Sequence, residues 1–455
     1  MPTILRTPRS WPAILLPRGN ADPLDLAAAR EAGAFTALER AIRELGSEGT
    51  IATVAASGLR GRGGAGFPTA EKWRVAANAA PPDVVAAGTG SGDRSIGRRV
   101  VVANGYGADP SSQTDRTLLE RNPYGVLEGV LIAAVAIGAD EAIVAVRSEA
   151  TDAIRMLETA IERLNEAGIA GADALGSGQT IELSVRPVQG AYMLGEETVL
   201  LKALEGKRGQ PEQRPPQPAT RGLFGRPTVV QNVQTLAAVP WILANGAEAF
   251  AAIGSKSSPG TILVSIRTPA GGGVAEVPIG TPLKDILALA GKESDRNLKA
   301  ILVGGPSGGI LPAAFADTPY EFEALRAVGA HVGSGSIVAA DKRACIVDLA
   351  RLLTRYCADE ACGKTIPCRI GLRRVSEIGD RIATGVPKPT DGYLLADLSA
   401  DIVGSALCDH ERLATLPFAS GMRYFQSELD EHILRSSCPA GVCRPIAVAA
   451  GAAAH

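Results

Sequence analysis

Apolar residues recur at helical spacing between residues 34 and 57, after which the chain enters a glycine-rich stretch. From about residue 98 the pattern changes to short β-branched runs separated by longer helical segments. In order these are a strand at RRVVVANG, a helix over 117–138, a strand at EAIVAVR, a helix over 150–167 and a strand at IELSVRP. Strands alternating with helices build a largely parallel sheet covered by helices, so residues 1–245 are expected to form one α/β domain. The apolar run GVLIAAVAIG, from Gly129, lies in the first of these helices. It has about half of the roughly 20 residues that a bilayer span requires, and so reads as a buried helix.

Past residue 245, GTILVSIRTPAGGGVAEVPIGTPLKDILALAG gives two short β-branched runs, a turn and a helix, and AILVGGPSGGILP adds another strand. A small β-rich module over 246–335 is expected. From Ile337 onward strand signals fade and amphipathic helices dominate, which predicts a helical bundle over 336–437 and a tail over 438–455. QPEQRPPQPATRG is a proline-rich loop inside the first domain.

Composition narrows the function classes. The chain has 455 residues, 46% of them hydrophobic, enough to bury a large core. Its 46 Lys and Arg nearly balance 48 Asp and Glu, with no basic arm interleaved with aromatics, so nucleic acid is excluded as the expected partner. The N-terminal MPTILRTPRSWPAILLPRG is broken by prolines and lacks a secretory apolar core, and no run is long enough to cross a membrane, so a cytoplasmic location is expected. All seven cysteines lie between Cys345 and Cys443. A disulfide framework would not need that clustering; in a reducing compartment it points to metal binding.

Three stretches carry candidate chemistry. SGLRGRGGAGFPT contains Gly61-Arg62-Gly63-Gly64-Ala65-Gly66, which satisfies G-x-G-x-x-G but follows a helix and runs into Phe67-Pro68-Thr69. The dinucleotide fingerprint needs a strand before and a helix after, and a Walker loop needs a closing Gly-Lys-Ser/Thr, so neither applies. What remains is a stretch whose missing side chains let backbone N–H groups approach a phosphate or a flat ring. GAYMLGEETVLLKALEGKRGQP sets Glu196 and Glu197 at the start of an apolar-striped helix. EACGKTIPCRIG carries Cys362 and Cys368 around Thr365, in a turn of metal-binding character.

Together, in this order, these stretches resemble the NADH-binding flavoprotein subunit of respiratory complex I and the related β subunits of soluble NAD-linked hydrogenases and formate dehydrogenases. GLRGRGGAGFPT..KW, GEET....LEG..G.P, PT.V.NV.T and CG...PCR.G all stand at family spacing over roughly residues 35 to 445. The resemblance implies an α/β FMN-binding domain, a β-grasp (SLBB-like) module and a C-terminal helical bundle carrying a [4Fe-4S] cluster. Its chemistry would be hydride transfer from NAD(P)H to FMN and onward transfer of single electrons to the cluster. The alternative is a flavin subunit relaying electrons between protein partners without free nicotinamide. Carried over by position, the cofactor-facing residues would be Gly61, Arg62, Gly63, Phe67, Lys72, Asn104, Asp109, Tyr192, Gly195, Glu196, Glu197, Val230, Gln231, Asn232 and Thr235. No general acid or base is required, because the flavin carries the reaction.

The chain also departs from the family pattern. Tyr106 and Gly107 stand where the acidic loop has carboxylates, and Val75 and Gln217 replace two aromatics that help hold the adenine of NADH; Phe67 persists. Each lost stacking partner is worth about 0.5–1.5 kcal/mol, so the pair could weaken binding by roughly 5- to 150-fold. In the cysteine turn the family has Cys-Gly-x-Cys-x-Pro-Cys plus a distant fourth cysteine. Here Cys362, Cys368 and Cys408 keep three thiolates and Thr365 takes the fourth place, so an atypical ligand is expected, with Cys357 as the alternative. His432, Cys438 and Cys443, with Cys345, make a Cys3His set that suits tetrahedral zinc, and bifurcating hydrogenase β subunits carry the same Cys-Pro-Ala-x-Val-Cys segment. The resemblance implies a hetero-oligomer in which thioredoxin-like [2Fe-2S] or ferredoxin-like subunits carry the electrons on.

Overall fold

The computed structural model describes residues 3–19, 21–80, 99–291 and 297–443. By packing, the chain divides into one unit of Met1–Ser265, Gly273–Thr281 and Pro319–Phe322 and a second of Ile266–Gly272, Pro282–Thr318 and Glu323–His455. The segment 246–335 thus contributes to both units. Residues 444–455, most of the expected tail, lie outside the described residues.

In the first unit, α1 (Gly46–Ala56) leads into the glycine stretch and α2 (Thr69–Asn78) follows it. Then come β1 (Arg99–Gly105), α3 (Thr114–Arg121), α4 (Pro123–Ile137), β2 (Ala139–Arg147), α5 (Thr151–Glu166), β3 (Glu182–Val188), α6 (Glu197–Leu204), β4 (Thr228–Asn232) and α7 (Val233–Asn245). The four strands form a sheet in the order β3-β2-β1-β4, parallel throughout. The single helix expected over 117–138 is two. Asn122 accepts from Gly125 N at 3.0 Å and Pro123 holds the first helical position, an arrangement that starts a new helix rather than continuing the old one. The GVLIAAVAIG run is buried within α4, as its apolar surface requires. At Gly129 a Cβ would stand 2.0 Å from the carbonyl oxygen of Leu236 on α7, so the two helices approach at a distance only glycine allows.

After β5 (Thr261–Thr268) and β6 (Gly271–Pro278), the second unit holds β7 (Leu298–Val303), β8 (Gly309–Pro312) and β9 (Ser336–Asp341). AILVGGPSGGILP is not one strand but a hairpin: Gly304 and Gly305 take positive φ and turn β7 back on β8. Strand signals do not end at Ile337 either. Ser336–Asp341 pairs antiparallel with β7, Ile337 opposite Val303 and Ala339 opposite Ile301. The helices α8 (Ile346–Asp359), α9 (Leu372–Ala383), α10 (Asp391–Gly404), α11 (Asp409–Leu413), α12 (Leu416–Tyr424) and α13 (Gln426–Arg435) complete the unit. Their apolar faces meet around Ile346, Leu372, Val375, Leu395 and Phe418, with the buried Cys357 among them.

Candidate functional sites

The glycine stretch closes on itself before it meets anything else. Gly61 N donates to Phe67 O at 2.8 Å and Thr69 N to Leu59 O at 3.0 Å, so the residues between bulge as a loop held at its neck. Gly66 has φ +63° and sits against the ring of Phe322, which a Cβ would meet at 2.9 Å. Arg62 is buried and its guanidinium donates to three carbonyls, Thr261 O at 3.0 Å, Arg60 O at 2.9 Å and Pro259 O at 2.5 Å, while its backbone N donates to Thr235 Oγ1 at 2.8 Å. Burial, with the Arg60 charge, lowers its pKa to about 9. The Arg62 side chain is therefore a brace of the loop.

The strand ends supply the other wall. Asn104 and Asn232 are register partners at the C-terminal ends of β1 and β4, the edge at which open α/β sheets present ligand sites. Lys72, from α2, donates to Glu197 Oε2 at 2.7 Å and to Val230 O at 3.0 Å. Glu196 caps α6 by accepting from Val199 N at 2.9 Å, and Tyr192 and Gly195 form the turn that leads into it. Arg214 bridges Glu196 and Glu197, reaching Glu197 Oε1 at 3.0 Å. Five separated stretches of sequence thus converge.

Asp109 accepts from Ser111 N at 2.8 Å and Ser111 Oγ at 2.6 Å, shaping the turn after β1. Tyr106 is buried, with its hydroxyl on Gly190 O at 2.6 Å and Arg147 stacked 4.7 Å from its ring centroid. Phe67 and Val75 are exposed. Sequence reasoning missed Arg214, one polar residue in a proline-rich loop, and Asp115. The latter is buried, accepts from Asn232 Nδ2 at 2.9 Å and Gln234 Nε2 at 2.8 Å, and is pushed up to about 6 by burial, which those hydrogen bonds only partly offset.

Two features fit a flat, phosphate-bearing ligand here. Gln231 Oε1 is buried with no hydrogen-bond partner in the protein, an acceptor whose donor must come from elsewhere. Gly61 and Gly63 do not take positive φ, and a Cβ there would meet nothing nearer than 3.5 and 3.4 Å. The protein's own packing does not demand glycine at either position.

The second unit gathers cysteines in two places. Cys345, His432, Cys438 and Cys443 bring their ligand atoms within 4.8 Å of one another. Cys345 Sγ lies 3.4 Å from His432 Nε2 and 3.6 Å from Cys443 Sγ. His432 Nδ1 is engaged with Glu428 O at 2.7 Å, which fixes the tautomer and aims Nε2 at the thiols. Burial opposes ionisation of Cys438, yet the N–H groups of Cys443 and Val442, the Cys443 thiol and His432 hold it down at about 6. Burial pushes Cys345 upward and Cys443 up to about 11.

The other group is Cys362, Cys368 and Cys408. Gly363, at φ +71°, turns the chain after Cys362, and Arg369 Nη1 ties that turn by donating to Gly363 O at 3.0 Å. Cys368 is buried and pushed up to about 12, first by burial and then by the charges of Glu411, Cys408 and Cys362. Thr365 Oγ1 donates to Glu411 Oε1 at 2.8 Å.

The comparisons with known proteins bear on both units. Residues 54–241 match the family described as the Nuo51 FMN-binding domain. Residues 348–432 match the NADH-ubiquinone oxidoreductase-F iron-sulfur binding region. Over 440 residues, 95% of each chain, the protein is 34% identical to the F subunit of the NADH-quinone oxidoreductase of Escherichia coli strain K12. The chain belongs to this family. It is 38% identical over 390 residues to HndC, a subunit of the NADP-reducing hydrogenase of Solidesulfovibrio fructosivorans, covering 85% of this chain and 76% of that one. The air-oxidized NAD+-reducing [NiFe]-hydrogenase superposes with a TM-score of 0.79 at 31% identity, over 95% of this chain and 68% of that one. This family member is an FMN- and [4Fe-4S]-dependent oxidoreductase subunit of the NADH dehydrogenase type, passing electrons between NAD(P)H and an iron–sulfur cluster through FMN. No described helix is long and apolar enough to cross a membrane.

Proposed function

We propose that FMN lies between the glycine loop and the C-terminal ends of β1 and β4. The convergence of Lys72, Glu197 and Val230 with Asn104 and Asn232 at that edge carries this reading. When bound, FMN supplies hydride acceptance and one-electron release. The chain supplies position. Backbone N–H groups of the loop would meet the phosphate, Gln231 would offer its unpaired acceptor, and Lys72 is held between a carboxylate and a carbonyl. Glu196 and Glu197, held by Arg214, would border the bound flavin. Tyr192, Gly195 and Asp109 shape the turns that border it.

In the second unit, Cys362, Cys368 and Cys408 hold the cluster, and Cys345, His432, Cys438 and Cys443 hold one zinc ion. Three thiolates and an imidazole with its second nitrogen anchored suit a closed, structural zinc site. We read 246–335 as an SLBB-like module. The relatives' names, subunits of a quinone oxidoreductase and of a hydrogenase, support a hetero-oligomer; we read its other subunits as thioredoxin-like [2Fe-2S] or ferredoxin-like carriers and its location as cytoplasmic.

Acid-released flavin is expected to chromatograph as FMN in near-stoichiometric amount; protein that stays flavin-free after cofactor-replete expression would refute the site. With Val75 and Gln217 in place of adenine-stacking rings, NADH at micromolar concentration should reduce the isolated chain slowly. Fast stopped-flow bleaching under those conditions would show that other groups grip the dinucleotide.

A further inference from the structure

The turn of Cys362 and Cys368 offers three thiols and, where a fourth would stand, a hydroxyl. The structure shows what that hydroxyl is attached to. Thr365 Oγ1 donates to Glu411 Oε1 at 2.8 Å, and the other carboxylate oxygen accepts from Leu407 N at 2.9 Å. Glu411 is 1% exposed. It lies in the first turn of α11, whose N-cap is Cys408, and Cys368 feels the charges of both Glu411 and Cys408. The carboxylate is therefore near the cluster thiols and tied to the residue that replaces another.

Both partners of Glu411 in these contacts are neutral donors. Among the described residues Glu411 has no ion-pair partner, although His410 and Cys368 lie close enough to feel its charge, and a buried carboxylate ordinarily has a counter-charge. A cluster iron would supply the missing positive charge. Cys357, the other candidate for the fourth corner, has its side chain fully buried in the apolar core of the helices, and its carbonyl accepts from His410 Nε2 at 2.9 Å.

We propose that Glu411 is the fourth ligand of the cluster, its carboxylate oriented by Thr365. This rests on the reading that Cys362, Cys368 and Cys408 hold an iron–sulfur cluster. An anionic oxygen binds iron where a neutral hydroxyl of high pKa competes poorly, though less firmly than a thiolate does. One Fe–O bond forms, an iron-bound water leaves, and no electron moves. Three thiolates and a carboxylate carry the same ligand charge as four thiolates, so the cluster keeps the family's overall charge while one iron is held by a harder, more readily released donor.

The test uses the full-length chain, loaded with iron and sulfide without air. Mössbauer spectra of the wild type should resolve one iron with a single oxygen donor in place of the terminal sulfur apart from the others. Glu411→Gln should lose that iron, so that iron per chain falls by about a quarter and the oxidised sample shows the electron paramagnetic resonance signal of a three-iron cluster. In the Thr365→Cys background the same Glu411→Gln change should leave iron content and spectrum unaltered, because the new thiolate takes the corner. A wild-type spectrum without an oxygen-ligated iron, or a Glu411→Gln protein that retains all its iron and an unchanged spectrum, overturns the assignment of Glu411 while leaving the cluster intact. A wild type that takes up no iron in any anaerobic preparation overturns the cluster reading itself.

Discussion

The loop-and-strand site of the first unit and the Cys3His group of the second, which we read as ligand sites, stand differently without a ligand. In the first, nearly every charge has a partner of the protein's own: Lys72 rests on Glu197, Arg214 on both glutamates, Arg62 on three carbonyls. In the second, three thiols crowd one imidazole; burial and the neighbouring sulfurs push Cys345 and Cys443 away from the thiolate form that a metal needs, while backbone N–H groups, the Cys443 thiol and His432 hold Cys438 down at about 6. A site of internally satisfied groups keeps its shape when empty. One of crowded, mutually repelling groups acquires its stability from the ion.

The largest effect that follows is on the metal side. Cys438→Ala with Cys443→Ala should reduce zinc from one per chain to near none and open the residues after α13 to protease, with flavin content unchanged. Zinc retained in full would rule out this ligand set. The flavin side should respond in a graded way. Lys72→Met removes a charged hydrogen bond, worth about 1.5–3 kcal/mol, and is expected to weaken FMN binding by roughly 10- to 150-fold without unfolding the unit. Flavin titration of the stripped protein measures it, and a loss of folding instead would mean that the charge network holds the unit together.

The smallest effect sharpens the contrast further, since it concerns a carboxyl that the first unit leaves without a cationic partner. Asp115, pushed up to about 6, binds its proton more readily in the folded chain than unfolded, where about 4 is usual. Between those values the folded state carries the extra proton, so the contribution to stability is complete below about pH 4 and is lost as pH rises through about 6. Asp115→Asn should flatten that fall in flavin-free protein, by at most a few kcal/mol, as read from denaturant melts across the range. An unchanged slope would place the titration on another buried acid, Glu128 or Glu276.

What the sequence disclosed and what it withheld follow the same division between local and distant causes. The glycine loop, the Glu196 cap, the buried helix after Pro123 and the cysteine spacings are properties of neighbouring residues, and they were legible. Arg214 and Glu411 were not, because an arginine among prolines and a glutamate on a short helix read as solvated until folding brings them to Glu197 and Thr365. Ser336–Asp341 was missed for a related reason. Its six residues carry little alternation of their own and become a strand by pairing with β7, which lies more than thirty residues earlier.

The ring of Phe322 beneath Gly66 sets a condition on how this protein can be made and cut. That ring is encoded more than 250 residues after the loop it supports, within a short piece, Pro319–Phe322, that belongs to the first unit. During synthesis at about 5–20 residues per second, the loop leaves the ribosome roughly 10–50 s before its support does. For that interval Gly66 faces water where a phenyl ring will later lie. A fragment ending at residue 245 or 265 would hold it there permanently, so the flavin-binding half cannot be obtained whole by a single cut.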